Sequence, residues 1–171
     1  MVAIDAPPFF DGLGEPSVRP YASEDHAAAV ALLEATGGRY RVRRGRVIDT
    51  AVLPGLVGSR NGQLNTLVTI SRHSNDFELS VIASNPFDPE LAHLVVRSAL
   101  QYRKPESRRV YAICSNAHFE VQRLLQNSDF RLCATRPGAI EAVARRSQQP
   151  LVTNFGGLEV RDEVEFDLLM P

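Results

Sequence analysis

VYAICSNAHFEVQRLLQNSDF, Val110 to Phe130, decides the fold. Arg108 to Cys114 is rich in apolar and β-favouring residues and reads as a buried strand. Ser115 or Asn116 then offers a side-chain oxygen to the free amides of a helix start. Val121, Leu124 and Leu125 fall on one face at helical spacing, and Phe130 to Thr135 resumes a strand. A strand, an amphipathic helix and a second strand in immediate succession predict helices packed on a sheet, an α/β (α+β) chain.

Upstream, Asp88 stands as a cap with Pro89 at the first helical position, where a missing N–H costs nothing. Leu91, Leu94, Val95, Ala99 and Tyr102 form the stripe of that helix, which ends at Lys104-Pro105. Before it, Asn61-Gly62 is a strong hairpin signal, because both central positions of the tight turn need positive φ. Leu53 to Ser59 is the strand on one side of it. On the other, Leu64, Thr66, Val68 and Ile70 share a face, and Phe77, Leu79, Val81 and Ala83 alternate along the next strand. The result is a three-strand antiparallel meander. Ser17 to Ala22 is a further strand, Ser23 caps the helix after it, and Gly37-Gly38 stops that helix.

Downstream, residues 136–157 form a long connection with a helical turn around Ile140 to Arg145. In the closing strand Val160, Val164, Phe166, Leu168 and Met170 share one parity, and Glu159, Arg161, Glu163, Glu165 and Asp167 the other, which predicts one wet face. Such a strand offers an edge for a homodimer, although alternating charge on an edge works against association.

The 171 residues, 44% hydrophobic and 23% charged with a formal net charge of -1, fit a single globular domain over residues 17–171 behind a breaker-rich arm at 1–16. No apolar run approaches the roughly 20 residues needed to span a bilayer, and Met1 to Phe10 lacks the charged start of a signal peptide, so a cytoplasmic protein is expected. Cys114 and Cys133 read as buried thiols, with neither the number nor the spacing of a zinc site or a disulfide framework. RYRVRRGR, Arg39 to Arg46, is the only dense run of one charge sign. In a chain of near-zero net charge it reads as a solvated or anion-contacting loop before it reads as a nucleic-acid footprint.

The order of elements, strand, helix, three antiparallel strands, helix, strand, helix and two closing strands, resembles the GNAT superfamily of N-acetyltransferases from Ser17 to Leu169. The most specific match is Glu120 to Phe130, which looks like the fourth helix of that family and its exit, where an Asn, a small residue, a Tyr and a closing Gly-Phe pair recur. VRPYASED, Val18 to Asp25, is similar to the family's first strand and the helix that follows. The resemblance implies a GNAT-like fold, a central mixed and mostly antiparallel sheet of about seven strands flanked by three to four helices. It also implies attack of a small-molecule or protein amine on the thioester of acetyl-CoA. That reaction needs a grip on diphosphate, an oxyanion donor, a route for the amine proton and an acid for the thiolate.

Set against these needs, the sequence departs from the family. The glycine-rich diphosphate turn is replaced by SNPFDPELA, Ser84 to Ala92, where Pro86 and Pro89 remove donors and Asp88 and Glu90 bring negative charge. The family's Tyr falls on Leu125, its Gly on Asp129 and its Asn on His118, with Asn116 two residues earlier. Oxyanion donation carries over to the backbone around Ile82, Ala83 and Ser84, and Asn116 joins them as a coenzyme contact. Glu78, of outward parity, is a candidate base or a plain surface carboxylate. His118 is a candidate proton carrier or a capping histidine, and Tyr111 a candidate acid or a packing residue. His26, His73 and His93 show no metal-ligand spacing, and no nucleophile elbow surrounds Ser59 or Ser80. Two functions stay open: a divergent acyl-CoA-dependent N-acyltransferase, or a non-catalytic binding or regulatory domain of the same fold.

Overall fold

The computed structural model describes residues 14–73 and 75–168. Residues 1–13 of the expected arm, and the end of the closing strand from residue 169, lie outside the described residues; Pro16 already belongs to the first strand. In chain order the elements are β1 (Pro16–Pro20), α1 (His26–Ala35), β2 (Tyr40–Arg43), β3 (Arg46–Asp49), β4 (Gly55–Arg60), β5 (Gln63–His73), β6 (Asp76–Ser84) and α2 (Pro89–Leu100). There follow β7 (Arg109–Ser115), α3 (Phe119–Asn127), β8 (Phe130–Arg136), α4 (Ala139–Ala144), β9 (Asn154–Phe155), β10 (Leu158–Glu159) and β11 (Glu163–Leu168). Seven strands make one mixed sheet in the order β1-β4-β5-β6-β7-β11-β8, antiparallel except where β6 meets β7. Among the described residues no helix is long and apolar enough to cross a membrane.

The local signals act as their chemistry requires. Asn61 and Gly62 take φ of 51° and 76°, closing the β4–β5 hairpin, and Asp88 accepts the Leu91 N–H at 2.9 Å to cap α2. Gly37, at φ 64°, lets the Gly38 N–H reach back to the Leu33 carbonyl at 2.7 Å and ends α1. Ser23, expected as the cap of α1, instead begins a tight helical turn. The cap-like contact is made by Asp25, which accepts the Ala22 N–H at 3.0 Å and is held from β1 by Arg19. The stripe of α2 ends before Tyr102, which is exposed.

Two bulges alter the expected alternation. Asn65 has no partner where β5 runs along β4, and Ser80 none where β6 runs along β5. Each extra residue reverses the side-chain parity beyond it. Val68, Ile70, Phe77 and Leu79 therefore pack under α2 with Leu91 and Val95, while Leu64, Val81 and Ala83 pack on the other face under α1 with Leu33. Fully buried Leu33, Phe77 and Leu91 each contribute roughly 1.5–3 kcal/mol by leaving water.

The remainder of the α1 face is covered by the basic run, and here the structure corrects the sequence. Arg39 to Arg46 is no solvated loop: β2 and β3 form a hairpin through Arg44-Gly45, with Arg41 and Arg43 buried beneath it. Arg43 Nε donates to Glu78 Oε1 at 2.7 Å, and its Nη2 reaches the Ser80 carbonyl. The closing strand has no wet face either. β11 lies inside the sheet between β7 and β8, and Glu163 and Glu165 are 0% and 2% exposed. Arg44, Arg109 and Arg136 close on Glu165, and the Arg44 N–H donates to Glu163 at 3.0 Å. Alternating charge marks a solvated face only when no counter-ion comes down on it, and the hairpin and the neighbouring strands supply three. The edge on which a dimer was expected is thus an interior strand.

Candidate functional site

β6 and β7 pair in parallel only from Asp76–Arg109 to Leu79–Ala112. The bulge at Ser80 adds local twist, and beyond it the strands part: Val81 to Ser84 stay with β5, while Ile113 to Ser115 stay with β11. Between the parted ends opens a cleft of about 320 Å³, walled by Ile82, Ser84 and Phe87 on one side and residues 117–121 on the other, with Thr36 and Phe155 at its back. A second hollow of about 570 Å³ shares Phe87 and Glu120 with the first and runs out between α2 and α3 past His93, Arg123 and Asn127. The two make one track from the heart of the sheet to the surface. Its inner end is mostly apolar and within the size range of ligand sites, roughly 300–1,000 Å³.

At the α2 end of the track the amides that ordinarily receive phosphate are taken. Pro89 has none, and Asp88 accepts from Leu91. Asp88 is itself buried against Arg60, whose Nε donates to it at 2.5 Å, and Arg60 also binds Glu90. Burial pushes the Asp88 carboxyl upward, but the Arg60 and Leu91 hydrogen bonds outweigh it and hold it below its ordinary value. Replacing Asp88 with Asn keeps a competent cap but leaves Arg60 only the exposed Glu90 as a counter-charge. Denaturant unfolding of Asp88→Asn is expected to report a loss of about 2 kcal/mol, somewhat less than for a buried pair with no second partner.

His118 reaches the cleft, but as a neutral ring. Its Nε2 lies 3.2 Å from the Thr36 carbonyl, which has no proton to give, so Nε2–H is the donor. Nδ1 then accepts from the Ser115 hydroxyl, and the ring stacks on Phe155 with centroids 4.4 Å apart. Burial first, and then the Arg41 charge, lower the imidazolium pKa to about 3. Ile82 and Ser84 also line the cleft, whereas the Ala83 side chain packs under α1.

Glu78 is not a surface carboxylate: it is 2% exposed, held by Arg43, by Tyr111 Oη at 3.1 Å and by His73 Nε2 at 3.2 Å. Burial, reinforced by Glu78, pushes the Tyr111 phenol well above its usual pKa, so Tyr111 serves Glu78 as a donor. Neither residue lines the cleft. Asn116 turns away to donate to the Glu159 carbonyl and accept from the Arg161 and Asp162 amides, which ties β7 to the β10–β11 connection. Leu125 lies in the core, and Asp129 takes φ 66°, a left-handed geometry that glycine adopts without strain. Sequence reasoning missed Phe87 and Phe155 as cleft walls, since neither carries a chemical signature. Cys114 is buried as expected, but Cys133, on β8 beside β11, is exposed. Cys133, Glu165 and Asp167 bring ligand atoms within 4.8 Å of one another, but the Arg109 guanidinium already bonds all three.

This arrangement, a mixed sheet whose central parallel pair parts over an apolar track, defines a class of protein. The chain has the GNAT fold. It superposes on an IAA acetyltransferase from Bacillus cereus with a TM-score of 0.63 at 12% identity, covering 90% of this chain and 99% of that one. A ribosomal-protein-alanine N-acetyltransferase from Brucella melitensis gives 0.62 at 14%, covering 90% and 99%. A GNAT family acetyltransferase from Elizabethkingia anophelis, solved with acetyl-CoA bound, gives 0.60 at 11%, covering 91% and 98%. No protein-family model matches the sequence, and neither does any curated protein. The likeness is one of fold, at 11–14% identity.

Proposed function

We propose that this chain is an acyl-CoA-dependent N-acyltransferase whose thioester arm lies in the cleft between the parted ends of β6 and β7. The observation that carries the reading is the early end of the β6–β7 ladder at Leu79–Ala112, which leaves the backbone of Ile82 to Ser84 beside an apolar track in a GNAT fold. Ile82, Ser84 and Phe87 hold one side of the arm and Ala117 and Val121 the other, and the backbone around Ala83 faces the developing oxyanion. When bound, the coenzyme would supply an activated acyl carbon: the acceptor nitrogen would bond to it as the C–S bond breaks, with the amine proton passing to water at the open end of the track and the sulfur leaving as thiolate. Leu125 has no proton for that thiolate, and neutral His118 already spends its hydrogen on Thr36, so the thiolate departs towards the open, water-accessible end of the track. Glu78, Tyr111 and Asn116 act in this reading through the framework alone. The two unbridged cysteines agree with a reducing, cytoplasmic setting.

Because the α2 amides are capped from within, the diphosphate contributes little to affinity. Calorimetric titration is expected to give acetyl-CoA and S-acetylpantetheine dissociation constants within about fivefold of each other, a gap of about 1 kcal/mol. Binding of acetyl-CoA alone, with a gap of several hundredfold, places phosphate recognition somewhere this reading does not. Absence of heat with both ligands at millimolar concentration removes the transferase and leaves the binding-domain alternative.

A further inference from the structure

Arg41 stands apart from the other buried arginines. Arg43 and Arg60, 7% and 8% exposed, each grip a buried carboxylate. Arg41 is 9% exposed, and among the described residues it makes no hydrogen bond or ion pair. Its nitrogens are not sealed in, being absent from the fully occluded polar atoms that lack a partner. Along β2 it shares the parity of Arg43, which reaches Glu78 and the Ser80 carbonyl on β6, so the Arg41 side chain leaves the hairpin on the side that faces the sheet. There it borders a hollow of about 20 Å³ with Gly37, Ser115 and His118. His118 lines this hollow and the cleft alike.

The hollow carries one uncompensated charge. Burial and the nearby Arg43 lower the Arg41 pKa to about 10, which leaves it a cation at neutral pH. Cys114, its thiol pushed up by burial to about 11, is uncharged, and so is His118. Glu163 attracts Arg41 from further off; one of its oxygens accepts from the Arg44 N–H, and the other, 3.7 Å from Arg136, makes no hydrogen bond to Arg41 or to any other of the described residues. A cation that keeps only a sliver of exposure and has no hydrogen-bond partner is costly to keep, and an anion is its natural complement.

We propose that Arg41 anchors a carboxylate of the acceptor, so that the acceptor is a small primary amine bearing a carboxylate on a short spacer, an amino-acid-like molecule. This deepens, and rests on, the transferase reading: the amine lies in the cleft at the parted strands and one carboxylate oxygen reaches beside the His118 ring into the hollow. A hollow near the size of one water admits a carboxylate oxygen and nothing bulkier, which excludes large or cationic tails.

The test needs no turnover. N-acetylglycine and its neutral isostere N-acetylglycinamide are titrated into the wild-type protein and into Arg41→Gln, with acetyl-CoA titrated separately into the wild type. The wild type is expected to prefer the carboxylate by about tenfold or more and Arg41→Gln to show no preference. Arg41→Gln is also expected to melt at a higher temperature, because it relieves a buried unpaired charge. Equal affinities in the wild type, a preference that survives Arg41→Gln, or a lowered melting temperature each overturn the proposal. If acetyl-CoA binds and the preference is absent, this inference falls alone; if the preference is present and acetyl-CoA does not bind, the transferase reading falls and Arg41 remains an anion site.

Discussion

Acidification from pH 7 to pH 4 is expected to destabilise the protein, and His118→Gln to make the loss markedly smaller. His118 titrates near 6.5 in the unfolded chain and is lowered to about 3 in the fold, chiefly by burial and then by Arg41. The unfolded chain therefore binds a proton that the folded chain refuses. Stability linked to this group is fully present above pH 6.5 and drains away as the pH falls towards 3. Between pH 7 and pH 4 the linkage amounts to roughly 3 kcal/mol. Glu165, whose carboxyl is held low by Arg109 and Arg136 against the cost of burial, adds to acid sensitivity at the lower end of that range. It does so in both proteins and cancels in their difference. Urea unfolding of both at several pH values reads this out. A wild-type-minus-variant stability difference that stays constant with pH would mean that the imidazole is solvated or paired with an anion. His118→Gln is less stable at pH 7 because the stack on Phe155 is lost, so the gap between the curves narrows as acid is added.

The same histidine marks where sequence reading succeeds and where it stops. Strands, helices and their punctuation were legible wherever cause and effect lie within a few residues: Asp88 and Pro89 opening α2, Asn61-Gly62 turning β4 into β5, Gly37 ending α1. The order of these elements sufficed for the fold. Charge was misread because its partners are distant in sequence. Glu163 and Glu165 alternate with apolar residues just as a solvated strand does, and Arg43 and Arg44 look like a solvated loop until the fold lays them against Glu78, Glu163 and Glu165. Asn65 and Ser80 left no signal as bulges, yet Ser80 precedes the point at which the cleft opens. Of the named site residues, Ile82, Ser84 and His118 reach the cleft. Glu78, Tyr111 and Asn116 are bound up in the framework.

Blocking the cleft is expected to cost about a hundredfold in acetyl-CoA affinity while leaving the fold intact, and Val121→Trp is the substitution that does so. Val121 sits in the first turns of α3, partly buried, on the wall opposite Ile82 and Phe87. Val121 packs on the core on one side and lines the cleft on the other, so an indole directed to the cleft side enters open volume and keeps the overpacking penalty small. Its added bulk takes up the apolar part of the track, where the proposed transferase reading places the acyl carbon. The outer hollow between α2 and α3 is untouched, so a ligand held mainly there would keep its affinity. Calorimetry with acetyl-CoA therefore separates two sources of binding. A loss of a hundredfold with an unchanged melting temperature assigns the affinity to the thioester arm within the sheet. A loss of threefold or less assigns it to the helices outside, where Arg123 and His93 stand, and takes away the reason for placing chemistry at Ile82 to Ser84.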